Sequence, residues 1–292
     1  MSKNSQLVPF LGTFTEKLLH LEATRNNNYL LNWVEKQQAW GKYVFSLIQV
    51  RSDFPDLSES AIKRALDRLS NKGRVISVYK GFYLIVPPEY TSRGVLPPLL
   101  FIDNLMQFVG KPYYIGLLSA AALHGAAHQQ PQEFFVITDI RQTTTQKKGL
   151  KINYITKKNI SDSFLEKRKT EFGYVNISNP ELTAADLVYY SSRIGGVNRA
   201  ASVLNELAEV MKPERLTPEF INILTVPTIQ RLGYLLDVVL EQKALADKIY
   251  TEAQNQQKEF FRQPLKAGEE KSGFSTNERW KIIINTDIEI DE

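Results

Sequence analysis

The stretch Leu57-Ser58-Glu59-Ser60-Ala61-Ile62-Lys63-Arg64-Ala65-Leu66-Asp67-Arg68-Leu69-Ser70-Asn71-Lys72-Gly73-Arg74 decides the fold of the front of this chain. Ser58 suits an N-cap, because its hydroxyl can accept from one of the unpaired N–H groups of a first helical turn. Leu57 before that cap and Ile62 four residues after it can close a hydrophobic staple. Ile62, Leu66 and Leu69 fall at i, i+4 and i+7 with Ala61 and Ala65 beside them, so one helix face is apolar. The other carries Ser60, Lys63, Arg64, Asp67 and Arg68. Asn71 and Gly73 end the helix, and the run Arg74 to Val86 follows at once.

Outward from that helix the pattern stays consistent. Tyr29 to Trp40 has a helical apolar phase with Gly41 as its stop. Tyr43 to Phe45 suits a short strand, and Leu47 to Phe54 a short helix capped by Ser46 and closed before Pro55. Downstream, Val75 to Tyr79 and Phe82 to Val86 are β-rich and joined by Lys80-Gly81, which predicts a tight hairpin. Helix, strand, helix, capped cationic helix and hairpin together predict a winged helix-turn-helix over residues 28–90. A lead-in helix with Phe14, Leu18, Leu19 and Leu21 is expected over 1–27, and a Pro- and Gly-containing linker over 91–98.

Residues 99–292 predict a helix-rich α+β domain with a small sheet, so the chain as a whole is α+β. Expected helices are Leu99 to Val109, Ile115 to Ala127, Glu181 to Ser191, Arg199 to Met211 (capped by Asn198), Pro218 to Leu224, Pro227 to Lys243 and Ala253 to Phe261. Expected strands are Phe134 to Thr138, Lys151 to Ile155, Phe172 to Ile177 and Trp280 to Ile290. Gln263 to Gly273 reads as a mobile polar stretch.

Composition narrows the function. The absence of cysteine excludes a disulfide framework, a cysteine nucleophile and a thiolate zinc site together, and suits a reducing compartment. Met1 to Gln6 is polar with no apolar core behind it, and no run approaches the roughly 18 apolar residues of a spanning helix, so a cytoplasmic protein without membrane contact is expected. The net charge of +4 hides an asymmetry: residues 1–97 hold 13 Lys/Arg against 8 Asp/Glu, residues 98–171 hold 10 against 6, and residues 172–292 hold 13 against 18. A basic front points to an anionic partner.

Double-stranded DNA is the partner that the cationic helix and hairpin suit. Lys63 and Arg64 can reach guanine or phosphate, Ser58 and Ser60 can contact phosphate near the helix N-terminus, and Arg68, Lys72, Arg74 and Lys80 can hold the backbone. The plainer alternative is a solvated helix face, and winged helices also serve as protein–protein modules. Other constellations are weaker. His124 and His128 have metal spacing but no third ligand and no intervening glutamate. Asp287, Glu289 and Asp291 alternate as the solvated side of an edge strand would. Gly195-Gly196 lacks the Walker pattern and suits a turn between helices. The basic run Lys147-Lys148, Lys151, Lys157-Lys158 and Lys167-Arg168-Lys169 can extend a nucleic-acid surface, meet an acidic partner or form a solvated face, but without interleaved aromatics it does not read as a single-strand stacking platform. No catalytic constellation, metal site or cofactor motif is found, so no enzyme activity and no cofactor are expected.

Several segments, in order, carry a resemblance: Ala65-Leu-Asp-Arg-Leu-Ser-Asn-Lys-Gly73, Lys80-Gly-Phe-Tyr-Leu-Ile85, Tyr114-Ile-Gly-Leu-Leu-Ser-Ala-Ala-Ala-Leu-His-Gly125, Phe134-Phe-Val-Ile-Thr138, Asn179-Pro-Glu-Leu-Thr-Ala-Ala-Asp-Leu187, Gly195-Gly196, Gly273-Phe274 and Trp280-Lys-Ile-Ile-Ile-Asn285. With these the chain resembles the AbiEi-type antitoxins of type IV (abortive infection) toxin–antitoxin systems. The resemblance implies a winged helix that binds inverted repeats in the operon's own promoter and represses it. It also implies a C-terminal domain that neutralises a nucleotidyltransferase-like toxin, functionally and without requiring a stable complex. Met1 to Asn27 and the polar segment before Gly273 do not match the family pattern. An alternative is a protein–protein adaptor whose winged helix meets a protein rather than DNA.

Overall fold

A computed structural model describes residues 28–126 and 133–290. Within them the chain forms two compact units, residues 28–97 with 147–149 and residues 98–146 with 150–290. The expected lead-in helix lies outside the described residues, as do His20, His128 and Asp291.

The first unit packs three helices on a three-stranded antiparallel sheet. Helix α1 spans Tyr29–Ala39, β1 Val44–Ser46, α2 Leu47–Asp53, α3 Glu59–Asn71, β2 Val75–Tyr79 and β3 Phe82–Ile85. The sheet order is β1-β3-β2. The caps form as the sequence predicts: Ser46 accepts from Gln49 N–H and Ser58 from Ala61 N–H. The apolar phase of α3 delivers Ile62, Ala65, Leu66 and Leu69 to a core with Leu30, Val34, Phe45, Val50, Val75 and Ile85. Full burial of such a side chain stabilises by about 1.5–3 kcal/mol. Trp33 meets Phe45 edge-on at 5.2 Å, and Phe45 stacks on Tyr83 across the β1–β3 pair. Gly81 holds φ +78° in the two-residue hairpin link, a conformation open to glycine at little cost.

The second unit is built on a six-stranded mixed sheet of order β6-β7-β5-β4-β9-β8. Its strands are β4 Tyr113–Ile115, β5 Phe134–Thr138, β6 Thr145–Lys147, β7 Leu150–Thr156, β8 Leu165–Thr170 and β9 Gly173–Ser178. Its helices are α4 Ile102–Val109, α5 Leu117–Leu123, α6 Pro180–Tyr189, α7 Val197–Ala208, α8 Pro218–Ile223, α9 Val226–Tyr234 and α10 Lys243–Asn255. Tyr114, Phe135, Ile137 and Ile155 from one sheet face share a core with Leu182, Ala185, Ala201, Leu204 and Ile229. The alternate residues Ile115, Val136 and Ile177 are buried too, so both faces of the central strands are covered. A second, three-stranded sheet pairs β10 (Gln263–Pro264) in parallel and β11 (Thr276–Asn277) antiparallel with β12 (Ile282–Ile283). It seats Trp280 so closely over α9 that a Cβ added to Gly233 would lie 2.0 Å from the indole ring.

Several elements differ from the sequence reading. Residues 113–115 form a central strand before α5, where one continuous helix was expected from Ile115. The helix expected over Pro227 to Lys243 leaves the α form after Tyr234, makes one π turn over Leu235–Val239, and a new helix starts at Lys243 after Glu241 adopts φ +56°. Gly196, at φ +102°, occupies the N-cap of α7 in place of Asn198, and no side chain caps it. The expected strand Trp280 to Ile290 shrinks to Ile282–Ile283, and the alternating carboxylates Asp287 and Glu289 lie beyond it, exposed. Gln263 to Gly273 is not a free stretch, because Gln263, Pro264 and Leu265 are buried against β12.

Candidate nucleic-acid interface

Helix α3 carries its charge on the face opposite the core, as spacing requires: Ser60, Lys63, Arg64 and Asp67 stand three and four residues apart and are all exposed. Ser58 is committed locally, since its Oγ accepts from Ala61 N–H at 3.2 Å and lies 3.1 Å from Ser60 Oγ. Arg64 Nε donates to Ser60 O at 3.2 Å, which folds the guanidinium back toward the helix start. Glu59 in the first turn is met by Arg51 from α2 at 2.5 Å. Arg68, Lys72 and Lys80 are exposed. Arg74 is held by Glu35 of α1 at 3.1 Å, so its side chain already has an anionic partner.

The structure thus groups Ser58, Ser60, Lys63 and Arg64 at the start of α3. Lys72 lies nine residues beyond Lys63, about 13.5 Å along the axis, and Lys80 sits at the hairpin turn. Lys63, Arg64, Lys72 and Lys80 are thus exposed cations spread along α3 and the hairpin after it. Exposed cations so spread can pair with phosphates of a nucleic-acid backbone.

The C-terminal unit carries a polar centre that the sequence reading missed. Tyr114 OH donates to Asp186 Oδ2 at 2.6 Å, and Lys157 Nζ donates to Asp186 Oδ1 at 2.9 Å and to Tyr114 OH at 3.0 Å. The Asp186 side chain is 4% exposed. Burial, with the Asp186 charge next, pushes the Tyr114 hydroxyl far above its ordinary range, so it stays protonated and donates. Each Asp186 oxygen thus accepts from a neighbour, and the three side chains form a hydrogen-bonded brace. An open cavity of about 340 Å³ adjoins it, lined among others by Lys157, Lys158, Tyr189, Tyr190 and Thr225. The available signal was a carboxylate in the apolar phase of Ala184-Ala-Asp-Leu-Val188.

A second brace closes on Asp237, which accepts from Lys243 Nζ at 2.6 Å, Trp280 Nε1 at 2.8 Å and Arg279 at 3.0 Å. Burial opposes ionisation of this carboxyl, yet the Lys243 and Trp280 hydrogen bonds with the Arg279 charge outweigh it and hold its pKa below the ordinary range. His124 Nε2 lies 2.7 Å from Ser178 O, a backbone contact. Among the described residues no group of three His, Cys, Asp or Glu could hold a metal ion. The basic run does not converge either: Lys151 pairs with Glu133 and Lys157 with Asp186, while Lys167, Arg168 and Lys169 are exposed on β8.

Residues 114–238 match the model of the AbiEi antitoxin C-terminal domain. The chain carries an AbiEi-type antitoxin domain. That bears out the resemblance, and the match encloses Tyr114, Lys157, Asp186 and Asp237. The segments quoted from residues 65–85 and 273–285 lie outside the matched range. No curated protein matches the chain. Among solved structures, the RV2827C protein from Mycobacterium tuberculosis matches with a TM-score of 0.61 at 13% identity, over 86% of this chain and 89% of that one, which shows a shared fold. The AbiEi antitoxins are not an enzyme family, and the domain fits an antitoxin role in a type IV toxin–antitoxin system. No helix among the described residues is long and apolar enough to cross a membrane.

Proposed function

We propose that this protein is the antitoxin and autorepressor of a type IV toxin–antitoxin pair. Its N-terminal unit acts as a winged helix that grips inverted repeats in its own promoter, and its C-terminal unit neutralises a nucleotidyltransferase-like toxin. The cytoplasm is where both partners would be met. The observation that carries the reading is the pairing of an AbiEi antitoxin domain with a capped helix whose exposed face holds Lys63, Arg64 and Arg68 and which is followed by a hairpin turned at Lys80-Gly81. The hairpin would be the wing. Lys63 and Arg64 would enter the major groove, with Ser58, Ser60, Lys72, Arg74 and Lys80 as backbone contacts, Arg74 after exchanging Glu35 for phosphate.

The test is a gel shift on the operon's promoter with the full chain and with Lys63→Ala/Arg64→Ala. Wild type should shift the fragment, with affinity falling steeply as salt rises from 50 to 200 mM. The double variant should lose the shift and still rescue cells from the toxin. Equal retention by both proteins, or a stoichiometric complex with the toxin and no promoter shift, would replace this reading with a protein–protein adaptor.

A further inference from the structure

Tyr174 in β9 is 57% exposed, although its neighbour Val175 is buried. The register of β8 on β9 sets Lys169 opposite Tyr174 and Lys167 opposite Asn176. Opposed residues of antiparallel strands project to the same face, so the ring shares its face of the sheet with Lys167 and Lys169. Strand β8 is an edge of its sheet, and both lysines are exposed. Lys111, also exposed, joins Lys167, Tyr174, Asn176 and Gln107 in lining an open cleft of about 630 Å³, within the size range of ligand pockets. Lys111, Lys167 and Lys169 take part in no ion pair among the described residues. The carboxylate in the cleft, Asp103, already accepts from Gln107 at 2.6 Å and from Tyr113 OH at 2.9 Å. Strand pairing therefore supplies the interleaved aromatic that the linear basic run lacks.

We propose that this cleft binds single-stranded nucleic acid, with a base stacked on Tyr174 and phosphates on Lys167, Lys169 and Lys111. Cationic groups around an exposed ring face are the recognition chemistry of an unstacked base and its backbone. Duplex DNA keeps its bases stacked and would leave the ring unused, and an acidic peptide would engage the lysines alone. The site is independent of α3 and does not rest on promoter binding.

The experiment uses the full chain carrying Lys63→Ala/Arg64→Ala, so that α3 contributes little, and measures fluorescence anisotropy of labelled oligo(U) RNA and oligo(dT) DNA. Binding of one or both at 50 mM salt is expected, and the preferred strand identifies the source. Adding Tyr174→Ala should weaken it about tenfold or more, whereas Tyr174→Phe should retain it. Lys167→Ala/Lys169→Ala should reduce the salt slope by about 1.4. Three results would overturn the proposal: no binding of either oligonucleotide at 100 µM protein, Tyr174→Ala binding as well as its parent, or equal competition by duplex DNA or poly-glutamate. Circular dichroism melts of each variant separate a lost site from a lost fold.

Discussion

Helices α3 and α6 begin alike and end up as opposites. Each is opened by a side-chain cap, Ser58 on Ala61 N–H and Asn179 on Leu182 N–H. Helix α3 then exposes every charged residue it has, while α6 is buried from Pro180 to Val188 with Glu181 and Asp186 inside. Charge on α3 faces water, with Glu59 met by Arg51. Charge on α6 is turned into the fold: Glu181 accepts from Lys212 N–H at 2.8 Å with Arg215 4.0 Å from its other oxygen, and Asp186 is spanned by Tyr114 and Lys157. The same residue types therefore stand at the surface in one unit and inside the fold in the other.

The contrast breaks first if the C-terminal braces are dispensable. Trp280→Ala should cost the most, about 3–5 kcal/mol, because it empties a fully buried site over Gly233 and removes a hydrogen bond from Asp237. Urea unfolding of the full chain measures it. Asp186→Ala should cost about 3 kcal/mol, since it leaves Lys157 and Tyr114 facing an unpaired position; a midpoint unchanged from wild type would mean that the centre is not structural.

Much of this division was legible in the sequence, and the reasons it was or was not are local. The phase and cap of α3 could be read because a half-buried helix alternates between core and solvent. Helix α6 was placed nearly to the residue, but a helix buried on all sides has no such contrast, so the roles of Glu181 and Asp186 stayed hidden. Strand β4 went unassigned, with only Ile115 read as a helix start, because Tyr113-Tyr114-Ile115 is a short apolar run without period, running into the apolar start of α5. Strand β8 was missed because Lys167-Arg168-Lys169 looks like loop until β9 is laid beside it. Tyr174 became part of a candidate site by the same pairing, which only the topology shows.

Smaller effects sharpen the comparison from the N-terminal side. Ser58→Ala should lose about 1 kcal/mol through the exposed cap of α3, visible as a few degrees in a thermal melt. Lys63→Ala/Arg64→Ala, the variant of the gel-shift test, should shift stability by no more than about 0.5 kcal/mol. Acid titration completes the series. The Asp237 pKa is lowered by folding from its ordinary 3.8, so its contribution is complete above that pH and is lost as pH falls through the folded value. Asp237→Asn should flatten this limb of the stability profile, and an identical acid limb in the variant would assign acid sensitivity elsewhere.

The seat of Trp280 also sets a schedule. Gln230 donates to Trp280 O across 50 positions of sequence, and Asp237 receives the indole N–H across 43. During synthesis, at about 5–20 residues per second, α9 emerges seconds before the residues that cover it. For that interval Gly233 lacks the ring that packs on it, and Asp237 has Lys243 but neither Arg279 nor Trp280. A chain that ended before Arg279 would leave Gly233 without the indole that packs on it and Asp237 without two of its three donors.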